Sequence, residues 1–178
     1  MTESSPKKVY ITMLGRSVWA VLNSYHAVLR EKEFFPDEIV LFAEGKASEK
    51  LLKEIDATVR GLAILSEEFH ISPAIKYEVI SESECEISFD ADFVKMVQHI
   101  LGLIKKRKKD GDVIAIDITP GKKTLVAGTL LPINLSDVDH IFYLSIKETV
   151  PRPYMMIPYQ IQQLNDFKEQ VVRAMNGQ

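Results

Sequence analysis

A chain of 178 residues can fold around one hydrophobic core, so we expect a single domain over residues 1–178. With 46% hydrophobic and 26% charged residues, its composition excludes a disordered or fibrous protein. A net charge of −3 argues against a general surface for duplex nucleic acid, and no stretch approaches the ~20 apolar residues that cross a bilayer.

Hydrophobic patterns in the first half of the chain predict strands that alternate with helices. The apolar run from Val9 to Leu14 predicts a strand, and apolar residues at three- and four-residue spacing predict a helix from Ser17 to about Glu33. The pattern then continues with a strand from Ile39 to Ala43, a helix with Ser48 as its N-cap, and a strand from Ile75 to Ile80.

The second half of the chain repeats this alternation. A helix marked by Phe93, Val97, Ile100, Leu101 and Ile104 ends in the basic run from Lys105 to Lys109, which complements the negative end of the helix dipole. The predicted elements that follow are a strand from Val113 to Ile118, a helix from Pro120 to Leu131, a strand from Ile141 to Ile146, and a final helix that begins near Pro158.

Strands that are apolar on both faces need helices on both sides of the sheet. We therefore predict an α/β fold with a doubly wound, mainly parallel sheet, Rossmann-like, in the strand order 3-2-1-4-5. In such sheets a ligand binds at the carboxyl ends of the strands, where successive connections diverge to opposite sides. The two turns that meet this condition follow the first and the fourth strand.

The turn after the first strand has three residues suited to a ligand site. Gly15 allows the backbone to turn sharply, Ser17 is expected to cap the following helix, and Arg16 would stand beside the N-terminus of that helix. This turn is a candidate for binding an anion.

The turn after the fourth strand gives a denser signal. We expect Thr119 to be the N-cap of the next helix and Pro120 its first residue, with Gly121 leaving the backbone amide groups accessible. Lys122 and Lys123 in the first turn of a helix are unfavourable for the helix dipole, which indicates that a bound anion compensates them. Asp117 could position a ligand hydroxyl, act as a base, cap the helix, or pair with Lys122 or Lys123.

Several other classes of site are poorly supported. The chain has no GxGxxG motif after the first strand and no GxxxxGK[ST] motif, which disfavours dinucleotide redox chemistry and P-loop hydrolysis. The four histidines lack metal-ligand spacing, so we expect neither a metal nor a cofactor. Cys85 is the only cysteine and the N-terminus lacks the apolar region of a signal peptide, which favours the cytoplasm.

Two short motifs resemble a known family. Thr12-x-Leu14-Gly15-x-Ser17 and Asp117-x-Thr119-x-Gly121-x-Lys123 are similar to the motifs of CARF domains, the CRISPR-associated Rossmann-fold sensors of antiviral defence. The resemblance implies a homodimer that binds cyclic oligoadenylate, a ring-shaped second messenger, on its two-fold axis. It covers nearly the whole chain, so the chain resembles the stand-alone members that are ring nucleases.

The resemblance also implies roles for individual residues. Cleavage would need no metal, because a ribose 2′-oxygen attacks the adjacent phosphorus and leaves a 2′,3′-cyclic phosphate. Lys122 or Lys123 would stabilise the charge, with Arg16 assisting, and Thr12 or Ser17 would orient the ribose hydroxyl. Other residues expected to contact the ligand are Met13, Leu14, Gly15, Asp117, Thr119, Pro120, Gly121 and Thr124.

Two alternatives remain open at this point. The same pocket could hold cyclic oligoadenylate uncut and signal to a partner protein. Outside this family, the helix N-terminus after the fourth strand could serve an α/β enzyme that acts on a nucleotide or sugar phosphate.

Overall fold

A computed structural model describes residues 5–15, 17–45, 48–80, 89–147 and 156–177, with only the backbone for residues 89–92 and 95. Helices and strands alternate along most of the chain. In order they are β1 (Lys8–Leu14), α1 (Val18–Lys32), β2 (Glu38–Glu44), α2 (Glu49–Glu68), β3 (Ala74–Ile80), α3 (Phe89–Lys109), β4 (Val113–Asp117), α4 (Lys123–Leu130), β5 (His140–Ile146), a short 3-10 turn (Tyr159–Ile161), β6 (Gln162–Asp166) and α5 (Phe167–Met175).

The six strands form one sheet in the order β3-β2-β1-β4-β5-β6. β3, β2, β1, β4 and β5 are parallel, and β6 pairs with β5 in the antiparallel direction. The predicted doubly wound sheet and its 3-2-1-4-5 order are confirmed. The order reverses between β1 and β4, where Ile11 is paired with Ile116, so the carboxyl ends of these two strands lie side by side.

Side chains of β1 alternate between two hydrophobic cores, one on each face of the sheet. Tyr10 and Leu14 pack with buried residues of α1 and α2, such as Val21 and Leu62. On the other face, β1 packs with α3 and α4 through a separate set of residues: Val9, Ile11, Met13, Ile100, Ile104 and Leu125. The prediction of helices on both faces is therefore confirmed.

The prediction that α4 begins at Pro120 is wrong, because the helix begins at Lys123 with Lys122 at the N-cap. Hydrogen bonds hold the chain out of helical geometry just before it. The Thr119 N–H donates to Asp117 Oδ1 at 2.9 Å, and the Thr119 hydroxyl accepts from the Leu144 N–H at 2.9 Å. Thr119 is thereby tied to the sheet, which leaves residues 118–122 as a turn between β4 and α4.

The predicted final helix from Pro158 is also wrong. A 3-10 turn is followed by β6, and only then by α5, which begins at Phe167. The side chain of Gln162 stabilises the start of this strand, since its Nε2 donates to the Ile157 carbonyl at 2.7 Å. At the other end, Asp166 accepts from the Glu169 N–H and caps α5. Local side-chain bonds thus place the helix start nine residues later than the proline does.

The basic run at the end of α3 lies near the amino ends of the strands. Arg107 pairs with Glu38 at the start of β2 and with Asp112 just before β4. Lys108 pairs with Asp139 at 2.9 Å, just before β5. These cations support the end of the sheet opposite the predicted ligand site. No helix in the described part of the chain is long and apolar enough to cross a membrane.

Candidate functional site

The turns after β1 and β4 are in direct contact at the point where the strand order reverses. A β-carbon built at Gly15 would lie 1.9 Å from the carbonyl oxygen of Pro120. Only a residue without a side chain allows this approach of two backbones. We call residues 14–17 and 118–122 the paired turns; within them, Arg16 lies outside the described residues.

Gly121 makes the second contact within the paired turns. A β-carbon at Gly121 would lie 2.8 Å from Met13 Sδ and 2.7 Å from Val126 Cγ2. Met13 itself is fully buried, so its side chain forms the floor beneath Gly121. The backbone of the second turn therefore rests on the end of β1.

Both helices that begin at the paired turns lack a side-chain cap. Ser17 occupies the N-cap of α1, but its side chain caps no amide group, and its buried Oγ has no hydrogen-bond partner among the described residues. Lys122, at the N-cap of α4, carries no acceptor. The predictions of capping by Ser17 and Thr119 are thus wrong. By contrast, Ser48 caps α2 and Asp166 caps α5 away from this site.

The polar side chains of α4 reach across to β2. Lys122 Nζ donates to the main-chain carbonyl of Glu44 at 3.1 Å, and the Thr124 hydroxyl donates to Glu44 Oε2 at 3.0 Å. Lys123 is exposed. The first turn of α4 thus carries two ammonium groups and one neighbouring carboxylate, so a cationic excess remains there.

Asp117 is fully buried and forms the support of the paired turns rather than part of their surface. Its carboxylate accepts from Tyr10 Oη at 2.8 Å, Ser24 Oγ at 2.5 Å and Thr12 Oγ1 at 3.4 Å, as well as from Thr119 N–H. These donors join β1, α1 and the second turn. Of the roles open to Asp117, pairing with a lysine is not what the structure shows.

Burial also sets the protonation behaviour of this cluster. Burial raises the pKa of Asp117, and the hydrogen bonds from Ser24, Thr119 and Tyr10 lower it only in part, so the net shift is upward. Burial and then the Asp117 charge raise the pKa of Tyr10 well above its ordinary value. Tyr10 therefore stays protonated and remains a donor to Asp117.

The structure divides the predicted site residues into two groups. The side chains of Thr12, Met13, Leu14, Asp117 and Pro120 are buried beneath the turns. The residues that line the surface or lie half-buried near it are Gly15, Ser17, Thr119, Gly121, Lys122, Lys123 and Thr124. A ligand could reach the second group, except for the buried Oγ of Ser17, whereas the first group determines the shape of the turns.

Three residues of this region were missed by the sequence analysis. Tyr10 and Ser24 bind Asp117, and Glu44 binds Lys122 and Thr124. Glu44 directly follows the apolar run of β2, so the rule that ligand groups gather at the carboxyl ends of strands could have identified it. Ser24 gives no such signal, because its position within a helix is typical of an ordinary core residue.

The chemistry available here is recognition of an anion together with polar groups attached to it. Uncapped helix N-termini and ammonium groups attract phosphate, whereas a carboxylate accepts hydrogen bonds from hydroxyl or amino groups. Among the described residues, no group of three or more His, Cys, Asp or Glu side chains could hold a metal ion.

Comparisons with known proteins give a structural similarity and no sequence match. The chain matches no protein-family model and no curated protein. It is similar in structure to Enterococcus italicus Csm6 bound to cyclic hexa-2′-fluoro-hexa-dAMP, with a TM-score of 0.54 and 17% sequence identity. The alignment covers 95% of this chain and 44% of that protein, so this chain spans less than half of its length.

The fold can be assigned from the strand order together with the structural similarity. The chain has a Rossmann-like α/β fold, and the structural similarity supports the CARF-like form of that fold, which the two turn motifs predict. At 17% identity the similarity shows the fold alone, so the ligand must be argued from the site itself.

Proposed function

We propose that this chain binds cyclic oligoadenylate at the paired turns. The observation that carries the proposal is the contact of two turns whose helices, α1 and α4, both begin without a side-chain cap. The first amide groups of a helix have no partner within the helix, and phosphate is well suited to accept from them. The similar structure, Csm6, is bound to a cyclic hexanucleotide analogue, which supports a ring as the ligand.

Lys122 and Lys123 supply the charge for this site. Exposed Lys123 is available to a phosphate directly. Lys122 already donates to the carbonyl of Glu44, and an ammonium group has three donors, so it can keep this bond and also bind a phosphate. Arg16 directly precedes Ser17 in the sequence and would add a third cation.

We propose further that the binding unit is a homodimer. A ring of identical nucleotides is symmetric, so two copies of the paired turns related by a two-fold axis can contact it in the same way. One copy presents only one pair of turns. Sedimentation of the protein with and without the ring tests this, and a monomer in both samples would contradict it.

A finer proposal is that the bound ring is cleaved without a metal. The 2′-hydroxyl loses its proton as its oxygen forms a bond to the adjacent phosphorus, the bond from phosphorus to the 5′-oxygen breaks, and the 5′-oxygen takes up a proton. Lys122 and Lys123 would stabilise the negative charge on phosphorus. Ser17 would act through the shape of its turn, because its Oγ is buried. Thr12 would act indirectly, because its buried hydroxyl binds Asp117.

Calorimetry and chromatography separate binding from cleavage. The protein is titrated with cyclic hexa-adenylate and with its 2′-fluoro analogue, and each ring is then analysed after incubation in EDTA. The 2′-fluoro ring has no attacking hydroxyl, so it should bind and stay intact, whereas the natural ring should yield linear products. An intact natural ring would show that the protein binds the ring without cleaving it. No affinity for either ring would refute the proposed function.

Substitutions of single lysines test which residues bind and cleave the ring. Lys122→Ala and Lys123→Ala should weaken binding and cleavage. Lys109→Ala, which removes an exposed lysine at the far end of α3, should change neither.

Thermal shifts with mononucleotides test the remaining enzyme alternative, since a ligand at ~100 times its Kd stabilises a protein by about 2.7 kcal/mol. A shift with mononucleotides but not with rings would favour a small-molecule enzyme.

A further inference from the structure

Glu44 places a carboxylate beside the proposed phosphate site. It is the last residue of β2, and it is paired with Ile80 of β3. Glu44 Oε2 accepts from the Thr124 hydroxyl at 3.0 Å, and its main-chain oxygen accepts from Lys122 Nζ at 3.1 Å. The carboxylate is therefore held against the first turn of α4, and its Oε1 has no hydrogen-bond partner among the described residues.

A carboxylate in this position restricts what a ligand can present to it. An ionised carboxylate only accepts hydrogen bonds, and it repels a phosphate. The group of a bound nucleotide that faces Glu44 must therefore be a donor. Adenylate offers two kinds of donor, the amino group of the base and the 2′-hydroxyl of the ribose.

The geometry of a nucleotide favours the hydroxyl. The 2′-hydroxyl is on the carbon next to the one that carries the 3′-phosphate, whereas the amino group lies at the far edge of the base. Thr124 belongs to the same helical turn as the amide groups proposed to bind phosphate. A phosphate bound by that turn would bring its neighbouring 2′-hydroxyl within reach of Glu44.

The position of Glu44 in the topology supports the same assignment. In dinucleotide-binding Rossmann folds, an acidic residue at the end of the second strand accepts hydrogen bonds from ribose hydroxyl groups. Glu44 ends the second strand of this sheet, beside the turn that follows β1. This parallel is an analogy between folds, and the contacts with Thr124 and Lys122 make it specific to this chain.

We propose that Glu44 accepts a hydrogen bond from a ribose 2′-hydroxyl of the bound ring and so selects rings that carry this group. The inference rests on the proposed function, because it concerns one contact within the same site. It makes Glu44 a specificity-determining residue. It requires no covalent step, so it holds for a cleaving and for a non-cleaving protein.

A comparison of two rings with two proteins tests this contact. Binding of cyclic hexa-adenylate and of the 2′-fluoro ring to wild type and to Glu44→Ala is measured by stopped flow before linear products accumulate, and chromatography of quenched samples verifies that the natural ring is still intact. Wild type should bind the natural ring about 10-fold or more tightly than the 2′-fluoro ring, as expected for a hydrogen bond to a charged group. Glu44→Ala should lose this preference through weaker binding of the natural ring.

Two further variants make the result interpretable. Glu44→Gln keeps the shape and one acceptor oxygen, so it should retain a smaller preference. Glu67→Ala removes an exposed acid near the end of α2 and should keep the full preference, which controls for net charge. Equal binding of both rings by wild type, or an unchanged preference in Glu44→Ala, would overturn the inference and leave ring binding intact. Failure of both rings to bind wild type would instead refute the proposed function.

Discussion

The backbone of Gly15 lies against the carbonyl oxygen of Pro120, and a β-carbon on residue 15 would be only 1.9 Å from that oxygen. The clash would involve the main chain of Pro120, which cannot rotate away as a flexible side chain can. The turn after β1 and the turn after β4 therefore act as one rigid unit. A change in either turn must displace the other.

Gly15→Ala should separate the two turns. We expect a loss of stability of about 1–3 kcal/mol, because an added methyl group is forced into a close contact. Binding of the ring should weaken at least about 10-fold, since a small displacement of positioning groups is costly. Urea unfolding and calorimetry measure the two effects.

Gly102→Ala is the matched control for this substitution. A β-carbon at Gly102, within α3, would meet no atom within 4 Å. Replacement of an exposed helical glycine by alanine should raise stability by roughly 0.5–1 kcal/mol and leave binding unchanged. If Gly15→Ala behaved in the same way, the rigid contact between the turns would be disproved.

Asp117→Ala should be strongly destabilising. The substitution leaves Tyr10 Oη and the Thr119 N–H without their buried acceptor, and each unsatisfied group costs about 1–3 kcal/mol before relaxation, whereas the Ser24 hydroxyl can still donate to the Ala20 carbonyl. We expect a total loss of about 3–5 kcal/mol in urea unfolding. Asp56→Ala, which breaks an exposed pair with Arg60, should change stability by no more than about 1 kcal/mol. Equal effects would contradict the role of Asp117 as the support of the turns.

The raised pKa of Asp117 predicts a dependence of stability on pH. In the window above the ordinary value of 3.8, the folded state binds more protons at Asp117 than the unfolded state does. Stability contributed by this group therefore falls as the pH rises through that window. The free energy of unfolding of wild type, relative to Asp117→Asn, should decrease between pH ~4 and the folded-state pKa, and then become constant.

Asp139→Asn provides the opposite case for this pH series. Burial raises the pKa of Asp139, but hydrogen bonds from the Ile114 N–H and from Lys108 lower it by more than burial raises it, so the net shift of the pKa is downward. Its contribution is present above pH ~4 and is lost as the pH falls through its folded pKa. The difference between wild type and Asp139→Asn should thus be flat where the Asp117 difference decreases. Parallel curves would show that Asp117 titrates normally.

Ring binding should depend on salt through Lys123. Each phosphate that is neutralised adds about 0.7 to the slope of log affinity against log salt for a single strand. Lys123→Ala should reduce the slope by about that amount, because this exposed side chain loses one phosphate contact. The slope is measured by calorimetry at several salt concentrations. An unchanged slope would remove Lys123 from the ligand contacts.

Much of the fold could be predicted from the sequence because the spacing of apolar residues along the chain indicates which side chains are buried. The apolar runs of β1, β2 and β4 are buried on both faces, and this is what their uninterrupted patterns indicate. β6 could not be predicted in the same way. Its residues from Gln162 to Asp166 are mostly polar, and the strand depends on pairing with β5 and on the Gln162 side chain.

The candidate site could be predicted only in its location. The rule that ligands bind where the strand order reverses identified the paired turns, and Gly15 and Gly121 marked their close approach. The direction in which the side chains of this site point could not be predicted from the sequence. Whether Thr12 and Asp117 face a ligand or the core depends on Tyr10 and Ser24, which are distant in sequence and meet Asp117 only in the folded chain.

The antiparallel pairing of β6 also bears on how the sheet avoids edge-to-edge aggregation. β5 is an apolar strand, and on its own it would offer unpaired main-chain groups to another molecule. β6 covers that edge with a short polar strand, while the opposite edge, at β3, carries Lys76 and Glu78. Both edges of the sheet are thus poor templates for aggregation. Removing residues from Gln162 onward would expose the main-chain N–H and C=O groups of β5 to pairing with a strand of another molecule.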